Sequence, residues 1–236
     1  MDQPSDKLPT TSQTECRMCG TCCEKGGPAL HTQDLDRLGS GGLDPAHLIT
    51  IRKDELAIDP ARNRPMPVKH ELVKIRGRKG TWQCCFYDRS KKQCTIYDNR
   101  PQACRVLKCW DTSDVLALAG RDLISRIDVI GKDHPLAQRI LTHEKRCPCP
   151  DMTRLAQEGH VSGKTIKTLE KLIAADLDFR TQAVTDLNLS VEEEMFAFGR
   201  PVFQLLESIG FTVAETPRGL KLSCRPKVEP PSGRFR

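Results

Sequence analysis

The sequence predicts an α+β fold: an irregular cysteine-loop core with short strands, followed by a mainly helical C-terminal half and a small hairpin. Two observations predict it. Cysteines crowd short, turn-rich segments in the first half of the chain, and short apolar runs between residues 54 and 82 favour strands. From about residue 111, apolar residues recur at helical spacing. We therefore expect a first half organised by cysteines and a second half built from helices.

Composition indicates a water-soluble chain with an unusual thiol content. The 236 residues include 12 cysteines, with 38% hydrophobic and 29% charged residues. The net charge of +6 is mild and lacks the basic stripe of a dedicated nucleic-acid binder. No stretch approaches the roughly 20 apolar residues that span a bilayer, and the N-terminus lacks an apolar signal core. A cytoplasmic location is expected, where thiols stay reduced.

Composition and residues that break helices and strands divide the chain into four predicted parts. They are a disordered lead-in over 1–14, a cysteine-cluster metal-binding domain over 15–150, a helical region over 151–224 and a disordered tail over 225–236. The helical region is expected to pack on the cysteine-cluster domain, because its apolar faces have no other body to cover. The two are therefore predicted to behave as one cooperative unit.

Local signals place the elements of the first half. Asp44 followed by Pro45 predicts a helix start, with an N-cap and Pro at the first helical position. Short strands are predicted at 55–58 and 71–76. Residues 81–87 are predicted to return beside 71–76 across the turn at 77–80, which would deliver Cys84 and Cys85 at the end of that strand.

The second half of the chain is predicted to form helices separated by breaks. Ser113 is expected to cap a helix that continues to Ile127, and the prolines of Cys147-Pro-Cys149-Pro predict an extended break. The other predicted elements are a short helix around 136–141, the longest helix at 163–186, a helix from the Ser190–Glu193 capping box that pauses near 199–201 and resumes to Ile209, and a hairpin of 211–214 with 220–223.

The thiol spacing indicates a metal site. Cys16, Cys19 and Cys22 recur at Cys-x2-Cys spacing, whose backbone turn aims neighbouring sulfurs at one point. Structural zinc usually takes paired knuckles far apart in sequence, whereas three thiols at this spacing are more typical of an iron–sulfur loop. In bacterial ferredoxins the run continues with x3-Cys-Pro; here Cys23 follows instead. The spacing favours an iron–sulfur cluster and leaves zinc open.

Several motifs together resemble a known family. They are Cys16-x2-Cys19-Gly20-x-Cys22-Cys23, then Leu30-x3-Asp34-Leu35, then Cys84-x-Phe86-Tyr87, and finally Cys94-x2-Tyr97-x2-Arg100-Pro101-x2-Cys104-Arg105. Over about residues 16–109 the chain resembles the YkgJ-type cysteine-cluster (CxxCxxCC) family, described as zinc- or iron-chelating proteins with eight characteristic cysteines. The resemblance implies the metal ligands Cys16, Cys19, Cys22, Cys23, Cys84, Cys94, Cys104 and Cys109, the last being the natural candidate for the final ligand. It makes Cys85 an addition, and it assigns no catalytic residue.

The remaining candidates each have an ordinary explanation beside the functional one. Cations at Arg17, Arg100, Arg105 and Lys108 would offset thiolate charge, or simply form salt bridges. Trp110 either covers the metal or belongs to the core. A satisfied surface or core histidine explains His31, His143 and His160 better than ligation does. Cys147 and Cys149 are predicted to form an accessory pair, with two free thiols as the alternative.

Three functions are consistent with this sequence. The first is a metal-binding protein that carries an iron–sulfur cluster in electron transfer, metal handling or as an enzyme's cofactor module. The second is a zinc-stabilised interaction module whose helices over 111–210 contact an unidentified protein partner. The third is cluster-dependent methyl or other group transfer, because flagellin lysine N-methylases carry a similar motif.

Overall fold

The computed structural model describes residues 13–39, 42–78, 80–158, 161–217 and 219–224. Most of the lead-in and all of the tail predicted to be disordered, together with His160, lie outside the described residues. Within the described part, short antiparallel strand pairs precede a helical half that ends in a hairpin, so the predicted α+β class is confirmed.

The elements follow in chain order. The helices are α1 Thr21–Glu24, α2 Gln102–Val106, α3 Ser113–Leu118, α4 Arg126–Ile130, α5 Pro135–Arg146, α6 Met152–Gln157, α7 Gly163–Leu187, α8 Val191–Phe198 and α9 Val202–Glu207. Two 3-10 helices span Thr32–Arg37 and Pro45–His47. The strands are β1 Leu48–Ile51, β2 Leu56–Asp59, β3 Arg64–Pro67, β4 Leu72–Ile75, β5 Tyr87–Asp88, β6 Gln93–Cys94, β7 Phe211–Thr216 and β8 Gly219–Cys224.

The strand pairing of the first half differs from the prediction. The strand predicted at 71–76 is present as β4, but its antiparallel partner is β1, not residues 81–87. The helix start predicted at Asp44 yields one 3-10 turn, and the chain then turns extended. The β-branched run Leu48–Ile51 explains the change, because such side chains pack well on a pleated surface. Residues 81–86 form bends and a turn before β5 begins at Tyr87, and the isolated bridge of Gly77 with Cys84 joins them to the preceding segment.

The single helix predicted from Ser113 to Ile127 is wrong. α3 ends at Leu118, and the chain turns where Gly120 and Asp122 adopt positive φ angles of 74° and 48°. α4 then begins after Ser125, whose hydroxyl accepts a hydrogen bond from the Asp128 N–H at 3.1 Å. The apolar residues that mimicked a helical stripe belong partly to the connecting loop, where Ile124 is buried in the core.

The later elements agree closely with the sequence signals. The longest helix, α7, is one residue longer than the predicted 163–186. Ser190 and Glu193 form the predicted reciprocal capping box at the start of α8. The chain breaks at Pro201 and resumes as α9, and β7 pairs with β8 in the predicted hairpin. α6 is an additional short helix that the sequence patterns did not indicate.

Helix α8 packs directly on the strand pair that supports the cysteines. Phe196 is fully buried in the same core as Leu30 and Leu48. The Thr50 hydroxyl on β1 donates a hydrogen bond to the Phe196 carbonyl at 2.6 Å. These contacts support the expectation that the two halves unfold together, which stays a prediction. No helix in the described part of the chain is long and apolar enough to cross a membrane.

A buried ionic network reinforces this junction. Arg52, which is fully buried, donates two 2.9 Å hydrogen bonds to the carboxylate of Glu144 on α5. Arg126 donates to the same carboxylate at 2.8 Å and also pairs with Glu71. One carboxylate therefore bridges two guanidinium groups, one just after β1 and one at the start of α4.

Candidate metal centre

The first cysteine loop is shaped by two left-handed residues. Met18 has φ of 51°, and its N–H donates to the Sγ of Cys16 at 3.4 Å. Gly20 has φ of 80° and precedes α1, where its carbonyl accepts from the Glu24 N–H at 2.9 Å. These tight turns let thiols close in sequence converge, as a metal-binding knuckle requires.

Gly20 also touches the second cysteine stretch. A Cβ atom at this position would lie 2.1 Å from the hydroxyl oxygen of Tyr87 and 2.3 Å from two of its ring carbons. The Tyr87 side chain is buried, so the ring cannot move into solvent freely. The glycine of the first motif is therefore required by backbone conformation and by this close contact.

We expect Gly20→Ala to lower the free energy of unfolding by about 2–4 kcal/mol, combining a left-handed backbone penalty with overpacking. Metal content should fall in parallel. The matched control is Gly39→Ala, which has a similar φ of 72° but no atom within 4 Å of its new Cβ. Equal losses in the two variants, measured by chemical denaturation, would exclude the Tyr87 contact as the cause.

Backbone hydrogen bonds join the two cysteine stretches. The Cys84 N–H donates to the Cys23 carbonyl at 2.8 Å. After Cys84 in the chain, β5 pairs with β6 and places Cys94 opposite Tyr87. These contacts bring cysteines that lie about 70 residues apart in sequence to one place.

Asp34 positions the last part of the site. Its carboxylate is fully buried and accepts from the Gln102 N–H at 2.7 Å and from the His31 N–H at 3.0 Å. Gln102 is the first residue of α2, the helix that carries Cys104. The family motif contained Asp34 without a role, and the structure assigns it the anchoring of this helix.

Six of the eight predicted ligands form one electrostatically coupled group. Cys22, Cys23, Cys84, Cys94 and Cys104 act on one another's ionisation, and Cys22 also acts on Cys19. Cys16, Cys19, Cys22 and Cys109 are exposed, and the Cys109 sulfur contacts Gln13 Nε2 at 3.6 Å. Charge interactions therefore connect six of the predicted ligands, and a site formed by all eight stays a prediction.

The thiols of the group differ in acidity. The hydrogen bond with Cys23 and the nearby charge of Arg100 lower the pKa of Cys22 to about 6, against a smaller effect of burial. Interaction with Cys22 and burial raise the pKa of Cys23, and burial raises the pKa of Cys104 to about 12. Metal ligation requires thiolates, so metal binding here would release protons.

Arg100 is a cation whose charge acts on several of these thiols, and Lys74 interacts with Cys84. The charge of Arg100 favours the ionised forms of Cys22, Cys94 and Cys104. Its guanidinium lies 3.5 Å from the ring centre of Tyr97, whose carbonyl accepts from Nε at 2.7 Å. The other proposed cations have different partners, since Arg105 bonds Gln102 and Lys108 pairs with Asp114.

Comparison with known proteins identifies the family of the cysteine-rich region. A family model named CxxCxxCC, described as "Putative zinc- or iron-chelating domain", matches residues 15–148. The chain belongs to this family. No curated protein and no solved structure matches the chain significantly. The CxxCxxCC domain thus includes both cysteine stretches, the three strand pairs formed by β1 to β6 and helices α1 to α5, and the family resemblance seen in the sequence is confirmed.

Cys85 points to a different environment from the CxxCxxCC group. Its thiol lies 3.9 Å from the His47 carbonyl oxygen, and the charges of Arg76 and Arg78 lower its pKa after the larger effect of its hydrogen bond with Cys84. The Cys84 and Cys85 thiols hydrogen-bond each other, and the charge of Cys22 also acts on Cys84. This placement supports the choice of Cys84 as the ligand of the doublet.

The remaining candidates lie elsewhere in or around the CxxCxxCC domain. His31 is a satisfied core histidine, with Nδ1 2.8 Å from the Arg121 carbonyl. Trp110 is 38% exposed, which disfavours the core alternative. His143 is buried and contacts Asp176 at 2.6 Å, a pairing that no sequence pattern could reveal because 33 residues separate the two.

Proposed function

We propose that this protein carries an iron–sulfur cluster in its CxxCxxCC domain and uses it in electron transfer, in metal handling or as a cofactor module. The family assignment establishes the coarser statement, a zinc- or iron-chelating domain. The finer proposal rests on one observation, which is the Cys-x2-Cys-x2-Cys spacing of Cys16, Cys19 and Cys22.

Some cysteine sulfurs contact one another in pairs, Cys22 with Cys23 and Cys84 with Cys85. Among the described residues, which include all 12 cysteines, no three sulfurs lie within 4.8 Å of one another. A tetrahedral zinc site with Zn–S bonds of about 2.3 Å would hold its four sulfurs about 3.8 Å apart. In a polynuclear cluster, sulfurs bound to different irons lie further apart, because iron and sulfide lie between them. The spacing of the sulfurs therefore matches a closed zinc site poorly, and the choice of a cluster rests on the Cys-x2-Cys-x2-Cys sequence spacing.

The surrounding residues suit the same proposal. The predicted ligands Cys16, Cys19, Cys22, Cys23, Cys84, Cys94, Cys104 and Cys109 would hold the metal, and a bound cluster would supply reversible one-electron chemistry. Arg100 offsets thiolate charge. Phe86 and Tyr87 are buried beside Cys84 and limit the access of water to that side of the group.

One observation favours the zinc-stabilised interaction module as the second candidate. The N–H of Met18 donates to the Cys16 sulfur within a left-handed turn. A tight Cys-x2-Cys turn of this kind also suits one half of a structural zinc site. Cluster-dependent methyl transfer rests on the motif alone, and no contact in the described residues favours it over the other two.

Anaerobic purification with elemental analysis tests the proposal. We expect iron and acid-labile sulfide in a fixed ratio to the chain, and a visible absorption band that bleaches on reduction. Stoichiometric zinc without iron or sulfide would instead support the interaction module. Protein isolated with neither metal, and unable to take up either after anaerobic reconstitution, would contradict both candidates.

A further inference from the structure

A second cluster of possible ligands lies inside the helical part of the molecule. An imidazole nitrogen of His143, the sulfur of Cys147 and a carboxylate oxygen of Asp176 all lie within 4.8 Å of one another. All three residues are fully buried. Helix α5 places His143 one turn before Cys147, and α7 supplies Asp176. The charged groups that act most strongly on Cys147 are Asp176 and nearby arginines, not the other cysteines.

Two polar atoms beside Cys147 lack partners. Within the described part of the chain, the buried side-chain atoms without a hydrogen bond are Nη1 of Arg52 and Nδ1 of His143. Both residues contact the Cys147 backbone. Arg52 Nη2 donates to the Cys147 carbonyl at 2.5 Å, and the Cys147 N–H donates to the His143 carbonyl at 2.7 Å. An unsatisfied buried polar atom costs about 1–3 kcal/mol and is rare in native proteins. Two such atoms, on residues that both contact the Cys147 backbone, indicate a further partner in this part of the molecule.

The contacts of Asp176 determine which atoms of this group are available to bind a metal ion. Its Oδ1 lies 2.6 Å from Nε2 of His143 and also accepts from Arg180 at 3.0 Å, while Oδ2 accepts from the Val202 N–H at 2.9 Å. Both oxygens are therefore engaged, and Asp176 orients the imidazole. Because Nε2 donates its proton to the Asp176 carboxylate, Nδ1 of the neutral ring carries a lone pair.

We propose that Nδ1 of His143 and Sγ of Cys147 bind a thiophilic metal ion, Cu⁺ or Zn²⁺. Sulfur and imidazole nitrogen are the donors these ions select. A carboxylate on the other nitrogen of a ligating histidine is the usual outer contact of such sites. A metal-bound thiolate would also accept from Nη1 of Arg52, so one ion satisfies both unpaired atoms. Two protein ligands suit Cu⁺, whereas Zn²⁺ requires further donors.

Nearby arginines do not exclude a cation, because carboxylates neutralise them. Arg52 pairs with Glu144, Arg126 with Glu71 and Glu144, and Arg180 with Asp176 and Glu194. This network holds three guanidinium groups and four carboxylates, an excess of one negative charge. A thiolate with Zn²⁺ adds one positive charge, and a thiolate with Cu⁺ adds none. Neither ion leaves the buried network with excess positive charge.

The test compares full-length wild-type protein with Cys147→Ser, using Cys149→Ser as the matched control. Each is purified anaerobically and saturated separately with Zn²⁺ or Cu⁺, and iron, sulfide, zinc and copper are counted per chain. We expect Cys147→Ser to lose one equivalent of zinc or copper with iron and sulfide unchanged, and Cys149→Ser to match wild type. Equal zinc and copper in wild type and Cys147→Ser would overturn the proposal.

A second measurement decides the matter even if Cys147→Ser does not fold. Nitrogen-15 NMR of wild-type protein labelled at histidine reports the state of Nδ1 of His143. We expect its resonance to shift to a metal-bound value with one of the two ions. An unchanged Nδ1 resonance in protein saturated with both would overturn the proposal, and a buried water would then be the missing partner. Absence of iron from wild-type protein would contradict the iron–sulfur proposal for the CxxCxxCC domain, but not the metal site at His143 and Cys147.

Discussion

Cys84→Ser is expected to remove most of the metal from the purified protein, whereas Cys85→Ser should retain most of it. Cys84 is 6% exposed, its N–H bonds the Cys23 carbonyl, and its thiol is coupled to Cys22. Cys85 instead contacts the His47 carbonyl and faces Arg76 and Arg78. Serine keeps the size of the side chain but is a poor ligand for soft metals.

Metal content per chain, measured on anaerobically purified variants, checks this prediction. The two substitutions are matched, since they change adjacent residues in the same way. Each variant also needs a thermal melt, because metal-binding energy at such a site is folding energy. Metal loss confined to Cys85→Ser would reverse the assignment of the doublet, and equal loss from both would make them joint ligands.

Glu144→Gln should lower the free energy of unfolding by about 3 kcal/mol, the lower part of the range for breaking a buried ion pair. The lower part applies because the Glu144 side chain is 32% exposed. The substitution keeps the shape of the side chain but removes the charge that Arg52 and Arg126 share. Arg52 would stay fully buried without its carboxylate partner, whereas Arg126 would keep Glu71. Chemical denaturation at neutral pH measures the loss.

The pH dependence identifies the origin of that loss. Burial alone would raise the pKa of Glu144, but the hydrogen bond from Arg52 and the charges of Arg52 and Arg126 outweigh it and lower the pKa from 4.5 to about 2. The folded protein therefore holds this proton less tightly than the unfolded chain does. The contribution of Glu144 is complete above pH 4.5 and is lost as the pH falls toward 2.

The difference between wild type and Glu144→Gln should accordingly shrink through that window. Glu192→Gln is the matched control, since it breaks an exposed pair with Arg76 at 3.7 Å and should cost less than about 0.5 kcal/mol. A difference for Glu144→Gln that stays constant between neutral pH and about pH 3 would assign the effect to packing instead of charge.

Sequence patterns predicted the parts of this fold that local chemistry determines. α7 and the capping box of Ser190 with Glu193 depend on residues close in sequence, and both were found as expected. The pairing of β1 with β4 depends on tertiary contacts, including the Phe196 ring from α8, so the local strand signal at 81–87 named the wrong partner. The false helix beyond Leu118 arose because loop residues such as Ile124 turn inward.

The candidate metal centre likewise has features that motif spacing predicted and features that it could not predict. Motif spacing predicted the cysteine ligands, and in the structure the charges of Cys22 and Cys84 act on Cys104. Motif spacing could not reveal the anchoring role of Asp34, whose partner Gln102 lies 68 residues away. The pairing of His143 with Asp176 was hidden for the same reason: neither residue belongs to a repeated spacing, and only the packing of α5 on α7 joins them.

The central claim is that thiols from both cysteine stretches hold one polynuclear iron–sulfur cluster. X-ray absorption at the iron edge of anaerobically purified protein tests it most directly, because metal–metal scattering reports nuclearity without any substituted residue. The account predicts a sulfur-dominated first shell together with a short iron–iron vector. A sulfur shell with no metal–metal vector, or protein that holds zinc alone, would contradict it.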